Sequence, residues 1–254
     1  MNTDLVDELV SVIMPSFNSS KTIIESIDSV LLQTYENIEL IICDDGSSDL
    51  SYELVQCLND QRIKLIKNTY EKGAAGARQS CIDISNGRYI AFLDADDLWD
   101  KNKLFIQIKY MRDNNISFTY SDYYTFNENI DNPKGFFKTP ESISFEDLCK
   151  HCAIGCLTVI IDRKEIEFSM INSPKEDYAT WLSILENSKK NAYRCDGVVA
   201  YYRLSNNSLS SNKIKEVVKQ NYVLKNTARL SFKKRIVCLF TYSINGIIKK
   251  YWKY

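Results

Sequence analysis

Three acids crowd into four residues at Asp94-Ala95-Asp96-Asp97, directly after the apolar run Tyr89-Ile90-Ala91-Phe92-Leu93. Carboxylates this close repel one another unless something neutralises them. Hard oxygen ligands at the mouth of a strand suit Mg²⁺ or Mn²⁺, ions that commonly bridge to phosphates. The same residues also read as a solvated turn with a helix cap, and a D-x-D alone does not separate the two readings. A second acidic pair, Glu176-Asp177, opens a segment whose apolar residues Tyr178, Trp181, Leu182 and Leu185 recur at helical spacing. A helix start favours anions, so this pair is either a cap or the source of a general base. His151 is the only histidine and stands between cysteines in an apolar region, so a histidine base is not expected. No Gly-x-Ser-x-Gly elbow, phosphate-binding P-loop or complete Gly-x-Gly-x-x-Gly fingerprint is present; Gly73-Ala74-Ala75-Gly76 falls short of the last.

The elements that must position these acids alternate in the first half. Apolar runs at 10–14, 38–43, 62–67 and 88–93 predict strands, and segments 21–32, 50–58 and 74–84 predict helices between them. This rhythm implies an α/β fold with a doubly wound, mostly parallel sheet. Ligands of such sheets bind at the carboxyl ends of the strands. Each unusual polar cluster of this half falls at such an end: residues 15–18, 44–48 and 94–97. The second half is less regular. It predicts helices over 101–112 and 176–186, strands over 116–120, 156–161 and 192–202, a loop over 127–140, and a polar Ser/Asn loop over 204–212 that is a candidate lid.

Composition adds a charge asymmetry. The 254 residues carry a formal charge of −1, but 1–211 holds −11 and 212–254 holds +10, with 11 Lys+Arg against one Glu. The basic tail interleaves Lys233, Lys234 and Arg235 with Ile236, Val237, Phe240, Tyr242 and Trp252, a pattern that suits an anionic membrane surface. Nucleic acid is not expected, because the acidic body opposes a long basic footprint. The alternative is a helical pair packed on the body. Residues 1–9 carry three acids and no apolar segment, so no secretory leader is expected. The apolar stretch 236–248 is too short to span a bilayer. A cytoplasmic protein, peripheral at the inner face of the cytoplasmic membrane, is the expectation. Eight cysteines then read as reduced core residues. Cys149, His151, Cys152 and Cys156 lack the second C-x-x-C pair of a zinc site.

Taken in order, Pro15-Ser16-Phe17-Asn18, Asp44-Asp45-Gly46-Ser47-Ser48-Asp49, Gly73-Ala74-Ala75-Gly76-Ala77-Arg78 and Asp94-Ala95-Asp96 resemble the family 2 inverting glycosyltransferases of the GT-A fold, over residues 10 to about 205. The set is far more specific than any member alone. The resemblance implies a nucleotide-sugar donor, UDP-linked, with Mn²⁺ or Mg²⁺, and a lipid-linked oligosaccharide acceptor in O-antigen, capsule or other surface polysaccharide synthesis. It assigns Pro15, Phe17 and Asn18 to the base and ribose, with Phe17 stacking on the base. It assigns Asp45 to a uracil edge, Ala95 to the ribose neighbourhood, and Arg78 to the uracil or diphosphate. Asp94 and Asp96 fall on the D-x-D element, with Asp96 as the direct metal contact. Glu176-Asp177-Tyr178-Ala179-Thr180-Trp181-Leu182 resembles the acceptor-side ED segment. Asp177 becomes the base, Glu176 orients the acceptor, and Trp99 and Trp181 pack on its sugar.

The expected domains are 1–211, with a nucleotide-sugar half (1–100) and an acceptor half (101–211), and a basic amphipathic helical tail, 212–254. If the tail is only a membrane anchor, its removal after Ser211 leaves transfer to a soluble acceptor intact. If it packs on the body, removal destabilises the protein. Two other functions fit the fold: a nucleotidyltransferase, which would need a glycine-rich basic loop after the first strand, and a non-catalytic nucleotide or glycan binding module. Residues 15–18 are not such a loop, and the acid pairs argue against the module.

Overall fold

The computed structural model describes residues 8–204 and 213–251, side chains excepted at 198–199, 213–214 and 245–251. The first half forms as its periodicity dictates: β1 (Val10–Ser16), α1 (Ile23–Leu31), β2 (Ile38–Asp44), α2 (Ser51–Gln56), β3 (Ile63–Lys67), α3 (Ala74–Ile84) and β4 (Tyr89–Phe92). β2 and β4 are buried throughout and β1 is buried but for Pro15, which is why they read as continuous apolar runs. These strands lie parallel in the order β3-β2-β1-β4. The chain moves outward from β1 to β3 and then crosses back to β4. A crevice therefore opens between the carboxyl ends of β1 and β4.

The second half continues the sheet: β5 (Leu98–Trp99), α4 (Lys103–Asp113), β6 (Phe118–Phe126), β7 (Gly135–Phe137), β8 (Ser142–Ile143), α5 (Phe145–Lys150), β9 (Ile160–Asp162), α6 (Glu176–Ser188) and β10 (Ala192–Arg203). The order beyond β4 is β9-β6-β10-β5, with β9 antiparallel to both neighbours and β6 parallel to β10. The whole is a mostly parallel α/β sheet with helices on both faces.

Three local expectations change. The single strand expected over 156–161 is a 3₁₀ turn, Cys156–Thr158, followed by β9. Thr158 curls the chain by donating from both its N–H (3.0 Å) and its hydroxyl (2.7 Å) to the Gly155 carbonyl. The loop expected over 127–140 contains β7, held to β6 by ring pairs Tyr123–Phe137 (4.9 Å) and Tyr124–Phe136 (4.8 Å). β6 runs on to Phe126 because neighbours pair with it along both edges. The candidate lid lies outside the described residues beyond Leu204.

Two apolar cores flank the sheet. One lies under α1 and α4, and the other under α3, α5 and α6. Of the two arrangements open for the C-terminal segment, the described residues show packing on the body. The C-terminal helices α7 (Lys213–Asn226) and α8 (Phe232–Tyr251) place Val223, Leu224, Ala228 and Cys238 in the second core. The charge count drew attention to the solvated faces of these helices and hid their buried stripe. No helix among the described residues is long and apolar enough to cross a membrane.

Candidate functional site

The crevice between β1 and β4 is built from four turns. After β1, Ser16 is buried with its hydroxyl unpartnered, and Phe17 is 48% exposed with the Lys72 ammonium 4.2 Å from its ring centroid. Asn18 adopts a left-handed conformation, and its side-chain oxygen accepts from Ser48 N at 2.8 Å. Pro15, paired with Cys43, sets the end of the strand behind them.

After β2, buried Asp44 accepts from the N–H groups of Gly46 (3.1 Å) and Ser47 (3.2 Å), a turn that needs the positive φ of Gly46. Asp45 is aimed by the loop before α3. Its two oxygens accept from Asn68 Nδ2 (2.6 Å) and Gly73 N (2.8 Å). That loop folds over α3 only because Gly76 has no side chain, since a Cβ there would lie 2.2 Å from the Glu71 carbonyl. Asn68 and Lys72 were not singled out by sequence; isolated Asn and Lys in a loop carry no spacing signal.

After β4 the acids divide by environment. Asp94 pairs with Arg78 at 2.6 Å, and the other arm of the same guanidinium reaches Glu176 at 2.7 Å. Arg78 is 3% exposed. It therefore differs from the expected contact to uracil or diphosphate: its two terminal nitrogens are committed inside the protein, joining the D-x-D turn to the start of α6. Burial works against its charge, but Asp94 and the neighbouring acids hold it firmly protonated. Asp97 is also structural. It is 1% exposed, and its oxygen accepts from Arg203 N at 2.8 Å. Burial, then the charges of Asp96 and Asp94, push its pKa well up. Arg203 further donates to the Asp96 carbonyl (2.7 Å) and pairs with Glu25 (2.5 Å), tying the end of β10 to this turn. The Ala95 side chain is buried and its carbonyl accepts from Thr22 Oγ1 at 2.8 Å, so only the turn around it faces the crevice.

Asp96 remains. Its residue is exposed, and no described side chain donates to its carboxylate. The surrounding protein, and secondly Asp94, raise its pKa to about 6. An open carboxylate under like-charge pressure is a fitting donor for a divalent cation. Among the described residues, no group of three or more His, Cys, Asp or Glu could hold an ion alone. The donor set would be completed by phosphate oxygens and water, as suits Mg²⁺ or Mn²⁺. In the cysteine cluster, Cys149 and Cys156 are buried and Cys152 is half-buried.

On the opposite wall, Asp177 accepts from Tyr178 N at 2.6 Å through one oxygen. Burial first, then the Glu176 charge, raise it to about 6, while Arg78 and Lys175 pull it down. A carboxylate poised there suits a proton acceptor near neutral pH. The two tryptophans are corrections. Trp181 is 0% exposed, packed edge-on to Phe92 (5.2 Å) and Phe118 (5.6 Å). Trp99 is 4% exposed and donates its indole N–H to the Leu157 carbonyl at 2.7 Å. Neither face is open to a sugar. Both are core, which is the commoner role of an aromatic at helical spacing.

A parallel α/β sheet whose carboxyl edge carries a nucleotide-type crevice, an open D-x-D acid and a facing acid pair defines a sugar-transferring enzyme of the GT-A type. Residues 11–161 match the model of glycosyl transferase family 2, and the chain belongs to that family. It is 47% identical over 249 residues, 98% of this chain and 97% of the other, to the UDP-Glc:alpha-D-GlcNAc-diphosphoundecaprenol beta-1,3-glucosyltransferase WfgD of Escherichia coli. It is 45% identical over 250 residues, 97% of each chain, to WfaP of Escherichia coli, which carries the same enzyme description. Among solved structures, S. aureus TarS 1–349 in complex with UDP-GlcNAc superposes with a TM-score of 0.66 over 95% of this chain and 75% of that one, at 18% identity, a likeness of fold.

Proposed function

We propose that this protein transfers a hexose, glucose first among the candidates, from its UDP conjugate to a GlcNAc-diphosphoundecaprenol-type acceptor with inversion at the anomeric carbon. The observation that carries the reading is the buried Arg78 bridge. It brings Asp94 of the donor turn and Glu176 of the acceptor helix onto one guanidinium, with Asp96 open on one side and Asp177 on the other. The identity to WfgD and WfaP along almost the whole chain supports the donor and acceptor named.

In this reading Phe17 stacks on the base, Asn18 and Asp45 bound the nucleoside, and Pro15 sets their backbone. Asp96, with Asp94 behind it, would hold a divalent cation, whose charge would offset that of a departing diphosphate. Asp177 takes the proton from the acceptor hydroxyl. That oxygen bonds to the anomeric carbon as the bond to UDP breaks, and the electron pair leaves with the diphosphate. One displacement turns an α-linked donor into a β-linked product. Glu176, held by Arg78, orients the acceptor.

We place the protein at an anionic membrane surface through α8. Phe232, Ile236, Phe240 and Ile244 recur every four residues and are all exposed, beside exposed Lys233 and Lys234. Such a face complements anionic lipid and would lie where an undecaprenol-linked acceptor is presented. The test of the activity is UDP release across UDP-sugars with a synthetic GlcNAc-diphosphate-lipid acceptor. UDP-glucose should give an acceptor-dependent β-linked product, whereas acceptor-dependent release from another sugar alone would reassign the donor. No acceptor-dependent release from any UDP-sugar would overturn the reading.

A further inference from the structure

The C-terminal helices end their packing on the residue that precedes the acid pair. Lys175 caps the N-terminus of α6, and its side chain is 11% exposed. Its ammonium donates to Gln220 Oε1 of α7 at 2.9 Å and meets the Tyr242 hydroxyl of α8 at 3.5 Å. Glu216 of α7 lies 3.8 Å away, and the ammonium stands 5.1 Å and 5.0 Å from the ring centroids of Tyr178 and Tyr242. Gln220 is fully buried. Its amide donates to the Tyr178 hydroxyl at 2.6 Å, which in turn donates to the Leu148 carbonyl of α5 at 3.0 Å.

Helix formation does not explain this lysine. A cation at a helix N-terminus opposes the helix dipole, and the usual caps there are Ser, Thr, Asp and Asn. Burying an ammonium adds a desolvation cost, offset here by partners that α7 and α8 largely supply. The titratable and charged groups that act on Asp177 are Glu176 of α6, Lys175 just before it, Arg78 from α3, Cys156 from the 3₁₀ turn and Tyr202 from β10. Arg78 is occupied by Asp94 and Glu176. Lys175 is the cation of this set whose position α7 and α8 control.

We propose that Lys175, locked by Glu216, Gln220 and Tyr242, is a positioning residue for Asp177, so that the C-terminal helix pair is a working part of the acceptor side of the site. The proposal rests on the reading of Asp177 as the base. It is tested in the full chain with Lys175→Met, Lys175→Arg and Tyr242→Phe, by pH–rate profiles and UDP titration. A nearby positive charge favours the ionised carboxylate, so its loss raises the pH at which Asp177 gives up its proton. Lys175→Met should leave UDP affinity unchanged and move the acid limb of kcat upward by about half a unit or more. Turnover should therefore fall more at pH 6 than at pH 8.5. Lys175→Arg should restore the limb, and Tyr242→Phe should move it in the same direction by less. A uniform loss at every pH, an unmoved limb, or failure of arginine to rescue would overturn the proposal. Should Lys175→Met not fold, an unmoved limb in Tyr242→Phe overturns it equally. Asp177→Asn, run beside these, separates the two failures: if it retains turnover, the base reading is lost whatever Lys175 does.

Discussion

The two carboxylates left open at the crevice, Asp96 and Asp177, share a perturbation and differ in neighbours. Asp177→Asn keeps the shape and removes the proton acceptor. Turnover should drop about 10²-fold or more while UDP binding persists, measured by steady-state rates beside titration calorimetry. In wild type, transfer should fall as pH drops through about 6, where Asp177 gains its proton. The stability effect has the opposite sense. A carboxyl raised in the folded state contributes stability below its ordinary pKa, near 4, and loses it as pH rises through about 6. Asp177→Asn should therefore melt higher than wild type at pH 8, with the advantage gone at pH 4. A lower melting point at pH 8 would mean that the carboxylate is held by more than the Tyr178 N–H and the nearby charges of Arg78 and Lys175. For Asp96, alanine substitution should abolish transfer with the melting point preserved or raised. EDTA should silence the wild type, and Mn²⁺ or Mg²⁺ should restore it; full rate in EDTA would remove the metal from the reaction.

Among the elements, α6 carries the acid pair at its N-terminus and its stability in Trp181. With Phe92 and Phe118 against its ring, Trp181→Ala should cost about 3–5 kcal/mol by chemical denaturation. Trp181→Phe should leave the acceptor KM near wild type, because the ring touches core and not crevice. A selective rise in KM for the acceptor would return Trp181 to the sugar site. β4 behaves similarly: its apolar residues fill both cores, and only the turn that follows it meets the ligand side. The β4–turn and α6 ends are joined by Arg78, so the donor and acceptor walls share one buried cation.

At the scale of the molecule, α7 and α8 have two faces. The inner face enters the core with Val223, Leu224, Ala228 and Cys238. Truncation after Ser211 should therefore lower the melting point sharply or yield insoluble protein, instead of releasing an intact enzyme. Full stability in the truncated chain would show that this packing contributes little. The outer face is separable by point substitution. Phe232→Ser with Ile236→Ser and Phe240→Ser should reduce co-sedimentation with anionic vesicles while transfer to a short soluble acceptor continues. Binding of the unaltered protein should weaken as salt rises, because the charges that attract lipid are screened. Equal binding to neutral vesicles would refute the electrostatic part.

The strand–helix alternation of 10–93, the parallel sheet and the location of the acid turns at strand ends were legible in the sequence, because burial on both faces writes each central strand as a local apolar run and each ligand turn as a local polar one. The positions of Asp96 and Asp177 were legible for the same reason: one follows an apolar strand and the other opens a helix. What Arg78 does was not, since an exposed helix arginine and one buried between Asp94 and Glu176 have the same local pattern. The burial of Trp99 and Trp181, the capture of Asp97 by Arg203, and the clamp on Lys175 were likewise undecidable from spacing. Each depends on contacts between segments about forty-five to more than a hundred residues apart, and only the packed sheet with its C-terminal helices brings those segments together. The tertiary structure thus decided which of the polar residues at the crevice are held inside the fold and which are left open for a substrate, because that division is set by who lies across the gap and not by the neighbours in the chain.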